Sequence, residues 1–115
     1  MEMKVLSKAE DDVTHVVLAG RLDLQGAGEI ETDFTARTAA AKKSAVVDFS
    51  KVPFLASIGM RMLVLAAKTL RRTGHKLIIL SPQENVKQAL EVAGLVEILP
   101  IAMNEADAFG LARAS

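Results

Sequence analysis

Between Ala45 and Leu70 the chain changes from one hydrophobic period to another across a breaker, and few folds accommodate that change. Ala45-Val-Val-Asp-Phe49 is a largely apolar run of strand length, the kind that fills a sheet covered on both faces. Pro53 interrupts regular structure. From Ser57 onward, Met62, Leu63, Ala66, Ala67 and Leu70 recur at helical spacing. Ser57 reads as the N-cap, a hydroxyl that can accept from backbone N–H groups lacking an intrahelical partner. The pattern then repeats. Thr73-Gly74 marks a helix end, and Lys76-Leu-Ile-Ile-Leu80 is a second buried strand. Ser81-Pro-Gln-Glu84 carries the marks of a helix start: a Ser cap, Pro in the first turn and Glu three residues on.

That helix presents Val86, Ala89, Leu90 and Ala93 on one face and ends at Gly94, with Leu95 packing back over its last turn. Val96 to Leu99 reads as a short edge strand stopped by Pro100, and Asn104 as the cap of a last helix through Phe109 and Leu111. Upstream, Met3–Ser7 and Val13–Ala19 read as strands joined by a turn at Asp11-Asp12, hence a hairpin. Gly20-Arg-Leu-Asp23 follows as a loop. Ala27, Ile30, Phe34 and Ala41 then share a helical face. Glu29, Glu31 and Asp33 sit early in this helix and Lys42 and Lys43 at its end, which suits the helix dipole. The order β-β-α-β-α-β-α-β-α describes an α/β fold over residues 1–115. It is one domain with a mixed sheet opened by an antiparallel hairpin and about four helices packed on it.

Composition narrows the function. Fourteen basic residues balance 14 acidic ones, so there is no basic surface for nucleic acid, and without Trp or Tyr there is little for bases to stack on. The absence of cysteine excludes disulfides, thiolate metal sites and cysteine nucleophiles. No signal peptide and no stretch of membrane-spanning length is visible, so a cytoplasmic protein without membrane insertion is expected.

No arrangement of residues supports catalysis, a metal or a cofactor. His15 and His75 have no local ligand partner, and Gly26 and Gly28 lack dinucleotide spacing. Asp48 lies near the end of a buried strand, where a phospho-accepting aspartate would sit. The second acidic cluster such a site needs for Mg²⁺ is missing, since Glu10, Asp11 and Asp12 fall in the hairpin turn. Asp48 is read as structural, bonding to loop backbone.

What remains is Ser57, a hydroxyl at the positive end of a helix where phosphate is well received. The loops around Asp23 and Ser57 both leave strands and enter helices, so they can share one face. Leu24, Ile58 and Met60 would give that face an apolar centre, with Arg21, Asp23 and Arg61 as its rim. Gly59 is read as permitting close approach, either of the first helical turn or of a docked partner. The plainer readings are that Ser57 only caps and that Ile58 and Met60 belong to the core.

These segments, in order, resemble a STAS domain of the anti-sigma-factor antagonist type over nearly the whole chain. Gly20-Arg-Leu-Asp23 is similar to the family's Gly-Glu-Leu-Asp. Val47 to Met60 is similar to its stretch ending in Asp-Ser-Ser-Gly-Leu. Gly74–Leu80, Val86–Leu90 and Ala93-Gly-Leu95 resemble its later strand and the helix ending in Gly-Leu. The resemblance implies a non-enzymatic partner switch with Ser57 as phosphoacceptor. It also implies a serine-kinase anti-sigma factor that binds the unphosphorylated form, and a cognate serine phosphatase that resets it. Three positions depart from the pattern: Ala56 stands for the family's Asp, Ile58 for its second Ser, and Arg21 for its Glu. Other roles stay open, namely an accessory subunit of a transport or stress-sensing complex and a nucleotide-sensing module. A weak homodimer stays open as well.

Overall fold

The computed structural model describes residues 1–114. Its five strands lie in sequence order, β1-β2-β3-β4-β5. β1 (Glu2–Val5) pairs antiparallel with β2 (Val13–Ala19), which makes the opening hairpin. β2, β3 (Ser44–Lys51), β4 (Leu77–Leu80) and β5 (Ile101–Ala102) are mutually parallel. The crossovers are α1 (Leu24–Arg37), α2 (Ser57–Arg71) and α3 (Glu84–Val92), and α4 (Glu105–Arg113) closes the described chain. Each crossover steps the same way across the sheet. Right-handed connections therefore put α1, α2 and α3 on one face and leave the other for α4.

Strand alternation sorts the side chains between the two faces. Val16 and Leu18 of β2, Ala45, Val47 and Phe49 of β3, and Leu77 and Ile79 of β4 point into the main core. There they meet Ile30 and Phe34 of α1, Leu63 and Leu70 of α2, and Leu90 of α3. Their neighbours Val13, Val46, Ile78 and Leu80 face the opposite way, onto Ala108 and Ala112 of α4. Both faces of β3 and β4 are thus covered, which is why those runs are apolar throughout rather than alternating.

Several expected boundaries move. Val96–Leu99 is a turn, not a strand: the Leu99 N–H donates to the Leu95 carbonyl at 2.8 Å and coils the chain back. The edge strand starts only after Pro100, whose carbonyl accepts from the Ile79 N–H at 2.8 Å. Ser81 does not cap α3. It lies in the left-handed region at φ 51°, and its hydroxyl donates to the Met103 carbonyl at 3.1 Å, which ties β4 to the chain beyond β5. Gln83 takes the cap position without a side-chain capping bond. Strand β1 ends at Val5 rather than Ser7, whose hydroxyl accepts from the His15 N–H at 2.9 Å.

The first crossover helix begins earlier than its apolar face suggests. Its first turn holds no acidic residue, so Glu29, Glu31 and Asp33 sit beyond the reach of the N-terminal dipole. Lys42 and Lys43 lie past a short 3₁₀ turn, Ala39–Ala41, and not on the helix. The helix stops at Thr38, whose buried hydroxyl bonds back to the Phe34 carbonyl at 2.6 Å. Other readings hold. Gly94 is left-handed at φ 71°, with the Leu95 N–H on the Leu90 carbonyl at 3.0 Å and Leu95 packed on the core. The Asn104 side chain accepts from the Asp107 N–H at 2.8 Å.

Phe34 is fully buried where α1 meets the sheet. Phe34→Ala should cost about 3–5 kcal/mol, through lost burial and the cavity left behind. Thermal unfolding should register this as a fall in Tm of more than about 10 °C.

Candidate functional site

Two loops leave the carboxyl ends of neighbouring parallel strands, β2 into α1 and β3 into α2, and Leu22 joins them. The Leu22 N–H donates to the Phe54 carbonyl at 2.9 Å, and the Leu22 carbonyl accepts from the Ala56 N–H at 3.0 Å. Together they form a lone parallel bridge between Leu22 and Leu55. Both side chains are buried. This bridge puts Arg21, Asp23 and Leu24 beside Phe54, Ala56 and Ser57, the shared face expected from the sequence.

Asp23, expected in a loop, is the N-cap of α1: its Oδ1 accepts from the Gly26 N–H at 2.9 Å. Its other oxygen receives Arg21 Nε at 3.4 Å. The Gly26 N–H, and after it Arg21, holds the Asp23 carboxyl below its usual value of 3.8. The guanidinium of Arg21 also lies over the Phe54 ring, 4.2 Å from its centroid, a cation–π contact that fixes an otherwise mobile side chain. Sequence reasoning did not single out Phe54. In the sequence it is only an aromatic residue after Pro53; its exposure, 37%, is set by the fold.

Ser57 is not the cap of α2. Ala56 holds that position, extended at φ −90° and ψ 167°, and offers no side-chain oxygen. Ser57 is the first helical residue and exposed, and among the described residues its hydroxyl has no hydrogen-bond partner. The first helical bond runs from the Met60 N–H to the Ala56 carbonyl at 3.0 Å. The cap residue gives the amides ahead of it no side-chain acceptor, so the partial positive charge at this end of the helix is not offset by a cap. Arg61 lies one turn along on the exposed surface.

The expected apolar centre divides. Leu24 is 75% exposed and Ile58 36%, both open to a partner, while Met60 is half-buried against the core. Gly59 is buried. A Cβ there would meet Leu22 Cγ at 2.7 Å, the Leu22 carbonyl oxygen at 2.8 Å and Leu55 Cδ1 at 2.9 Å. The close approach that Gly59 permits is that of the domain's own Leu22 loop, so its role is in packing and not in the exposed contact surface. Gly26 is equally constrained: a Cβ would lie 2.0 Å from the Arg21 carbonyl oxygen.

The loops rest on firm ground. Asp48 accepts from the Ser50 N–H at 2.8 Å, the backbone-bonding role read from the sequence. Gln83 and Asn85 of the α3 start donate to the Ser50 carbonyl at 3.0 Å and the Pro53 carbonyl at 2.7 Å. Among the described residues no cluster of His, Cys, Asp or Glu is placed to hold a metal ion. His15 is half-buried with its ring edge-on to Phe109 at 5.2 Å, remote from the two loops. Among the described residues no helix is long and apolar enough to cross a membrane.

The fold, a hairpin-opened mixed sheet covered on both faces, is that of a known class. The STAS domain model matches residues 4–108, and the chain belongs to that family. It is 25% identical over 100 residues to BtrV of Bordetella bronchiseptica, a candidate anti-sigma factor antagonist, covering 87% of this chain and 86% of that protein. An anti-sigma factor antagonist from Mycobacterium paratuberculosis has a similar structure, with TM-score 0.81, 24% identity, and coverage of 98% of this chain and 96% of the other. The antagonist SpoIIAA in its unphosphorylated form superposes at TM-score 0.75 with 18% identity, over 97% and 96% of the two chains. Its phosphorylated form, from Bacillus, superposes at 0.66 with 17% identity, over 97% and 100%.

Two measurements test this geometry. Gly59→Ala should lower Tm even though Ala favours a helix by about 1 kcal/mol, because the Leu22 carbonyl blocks the added methyl. Gly59→Val should cost more, about 1–3 kcal/mol. At Asp23 the folded carboxyl titrates below the unfolded one. Its ionised form therefore contributes stability above the usual value, and that contribution is lost as pH falls through the folded value. The difference in Tm between the wild type and Asp23→Asn, which keeps a capping oxygen, should be present at neutral pH and close below the usual 3.8.

Proposed function

We propose that this protein is a non-enzymatic partner-switching regulator. Its Leu22-bridged face binds a serine kinase that is also an anti-sigma factor, and phosphorylation of Ser57 releases it. The observation that carries this reading is the state of Ser57: exposed, first in α2, beside a helix start whose cap residue offers no side-chain acceptor, its hydroxyl without a hydrogen-bond partner among the described residues. A serine that only capped would hold the N–H groups behind it, and Ala56 in the cap position leaves Ser57 without that role. Further support comes from the anti-sigma factor antagonist names of its relatives and from the two forms, with and without phosphate, in which SpoIIAA is known.

The proposed contact surface is Arg21, Asp23, Leu24, Ile58, Met60 and Arg61 around Ser57, with Gly59 beneath it. Phosphate adds about −1.5 to −2 charges. At the start of a helix the dipole and the free amides favour it, and Arg61 is within one turn. The domain therefore keeps its fold. Release follows from placing an unpaired charge in the interface, where desolvation costs about 2–5 kcal/mol. A separate phosphatase resets the switch.

The test requires a serine kinase of the histidine-kinase-like type from the source genome. With ATP it should label Ser57 and leave Ser57→Ala unlabelled. Protein carrying phosphoserine at position 57 should lose at least tenfold in affinity for that kinase, while its amide NMR shifts change only near the start of α2. Label mainly on Ser50, Ser81 or a threonine, or retained affinity, would overturn the proposal.

A further inference from the structure

We propose that the outer face of α1 and α2 is a self-association surface, through which two copies of the chain pair about a two-fold axis. A groove of about 540 Å³ runs between the two helices, walled largely by Thr32, Thr35 and Ala36 of α1 and Ala66 and Thr69 of α2. Leu65 stands at its edge, 54% exposed. On α2, Ile58, Met62, Leu65 and Thr69 fall at i, i+4, i+7 and i+11, one stripe directed at α1. The patch thus holds both a protruding leucine and a recess lined by small side chains.

Its charges are divided in the same way. α2 carries Arg61, Lys68 and Arg71 and no acidic residue, whereas α1 carries Glu29, Glu31 and Asp33 against a single base, Arg37, in its last turn. Glu29 is engaged by the Met1 amine at 3.1 Å, and Glu31 lines the groove. Among the described residues Glu31, Arg61 and Lys68 form no ion pair. A surface that meets its own copy across a two-fold axis must contain the complement of each of its features. Knob with recess and acid with base, in one patch, meet that condition.

The geometry sets the register. Both helices leave the same end of a parallel sheet, so they run the same way. A two-fold axis lying in the interface and parallel to the two helices lays α1 of one copy along α2 of the other, the two running the same way. Glu31 and Leu65 lie seven and eight residues past the starts of their helices, at nearly equal depth. That axis preserves depth along the helices, so it carries each Leu65 toward the other copy's recess. It also carries each Glu31 toward the span of α2 between Arg61 and Lys68. The groove runs from Glu31 on α1 to Ala39 just beyond it and from Met62 to Thr69 along α2, set back from the exposed Leu24 and Ile58 at the helix starts.

Sedimentation velocity of the purified chain from about 1 μM to about 500 μM, the range of weak dimers, tests this. The wild type should shift from monomer toward dimer. Glu31→Lys, and separately the double variant Arg61→Glu with Lys68→Glu, should each stay monomeric, because every cross-pair becomes like-charged. An equimolar mixture of the two should dimerise again, since each copy then supplies the charge the other needs. Leu65→Asp should remain monomeric in any mixture. Circular dichroism checks that these exposed substitutions leave the fold intact. A wild type that stays monomeric at the highest concentration, a dimer that survives in every variant, or a mixture that fails to restore pairing would each overturn the proposal. None of these outcomes depends on a kinase, so the self-association and the switch can fail separately.

Discussion

The site depends on one buried residue, Leu22. Its two backbone bonds, to Phe54 and Ala56, join loops that leave different strands. Without them each loop would be an independent surface segment, with the entropy that implies. With them, the start of α1 and the start of α2 become one rigid edge. The bridge needs close approach, and two glycines supply it. Gly59 lets α2 come down onto Leu22, and Gly26 lets α1 turn tightly under the Arg21 carbonyl. A methyl at either position would occupy space that backbone already fills.

The same edge is electrostatically asymmetric. α1 begins on a charged cap, Asp23, whose carboxylate accepts from the Gly26 N–H. α2 begins on Ala56, whose side chain offers no acceptor. Two helix starts joined by a single bridge therefore differ in what they can accept: one is already neutralised by its own carboxylate, the other stays open to an anion. Arg21, held between Asp23 and the Phe54 ring, keeps a cation on the rim between them.

Behind the site, the sheet explains why the edge holds its shape. Three right-handed crossovers fill one face, and α4 closes the other with small side chains, Ala108 and Ala112. Exposed charges add only a light fastening to that last helix. Arg113 reaches Asp12 at 3.0 Å and lies 5.4 Å from the centroid of the Phe109 ring. Such exposed pairs contribute little, so burial of Val46, Ile78 and Leu80 keeps α4 in place.

Much of this was legible in the chain, because local signals carry it. Apolar runs at Ala45–Phe49 and Lys76–Leu80, helical spacing after Ser57, the turn at Gly94 and the cap at Asn104 all act within a few residues. So does the Asp48 side chain on its own loop. The errors came where a distant partner outbid a local preference. Ser81 had every mark of a cap, but its hydroxyl is taken by Met103, 22 residues on. Val96–Leu99 had strand composition, but the parallel edge needed the chain after Pro100. Asp23 looked like a loop residue because its helix opens with exposed Leu24 and Gln25, ahead of the apolar face. Ser57 looked like a cap because serine favours that position, but the bridge at Leu22 sets where α2 starts and gives the cap to Ala56. The sequence by itself determined the layers, the order of elements and the identity of the exposed serine, since periodicity and turn chemistry are local. Only the tertiary structure decided that Gly59 is a packing residue, that Phe54 holds Arg21, and that the α1–α2 face carries both knob and recess. Those depend on which strands become neighbours, and no single segment encodes that.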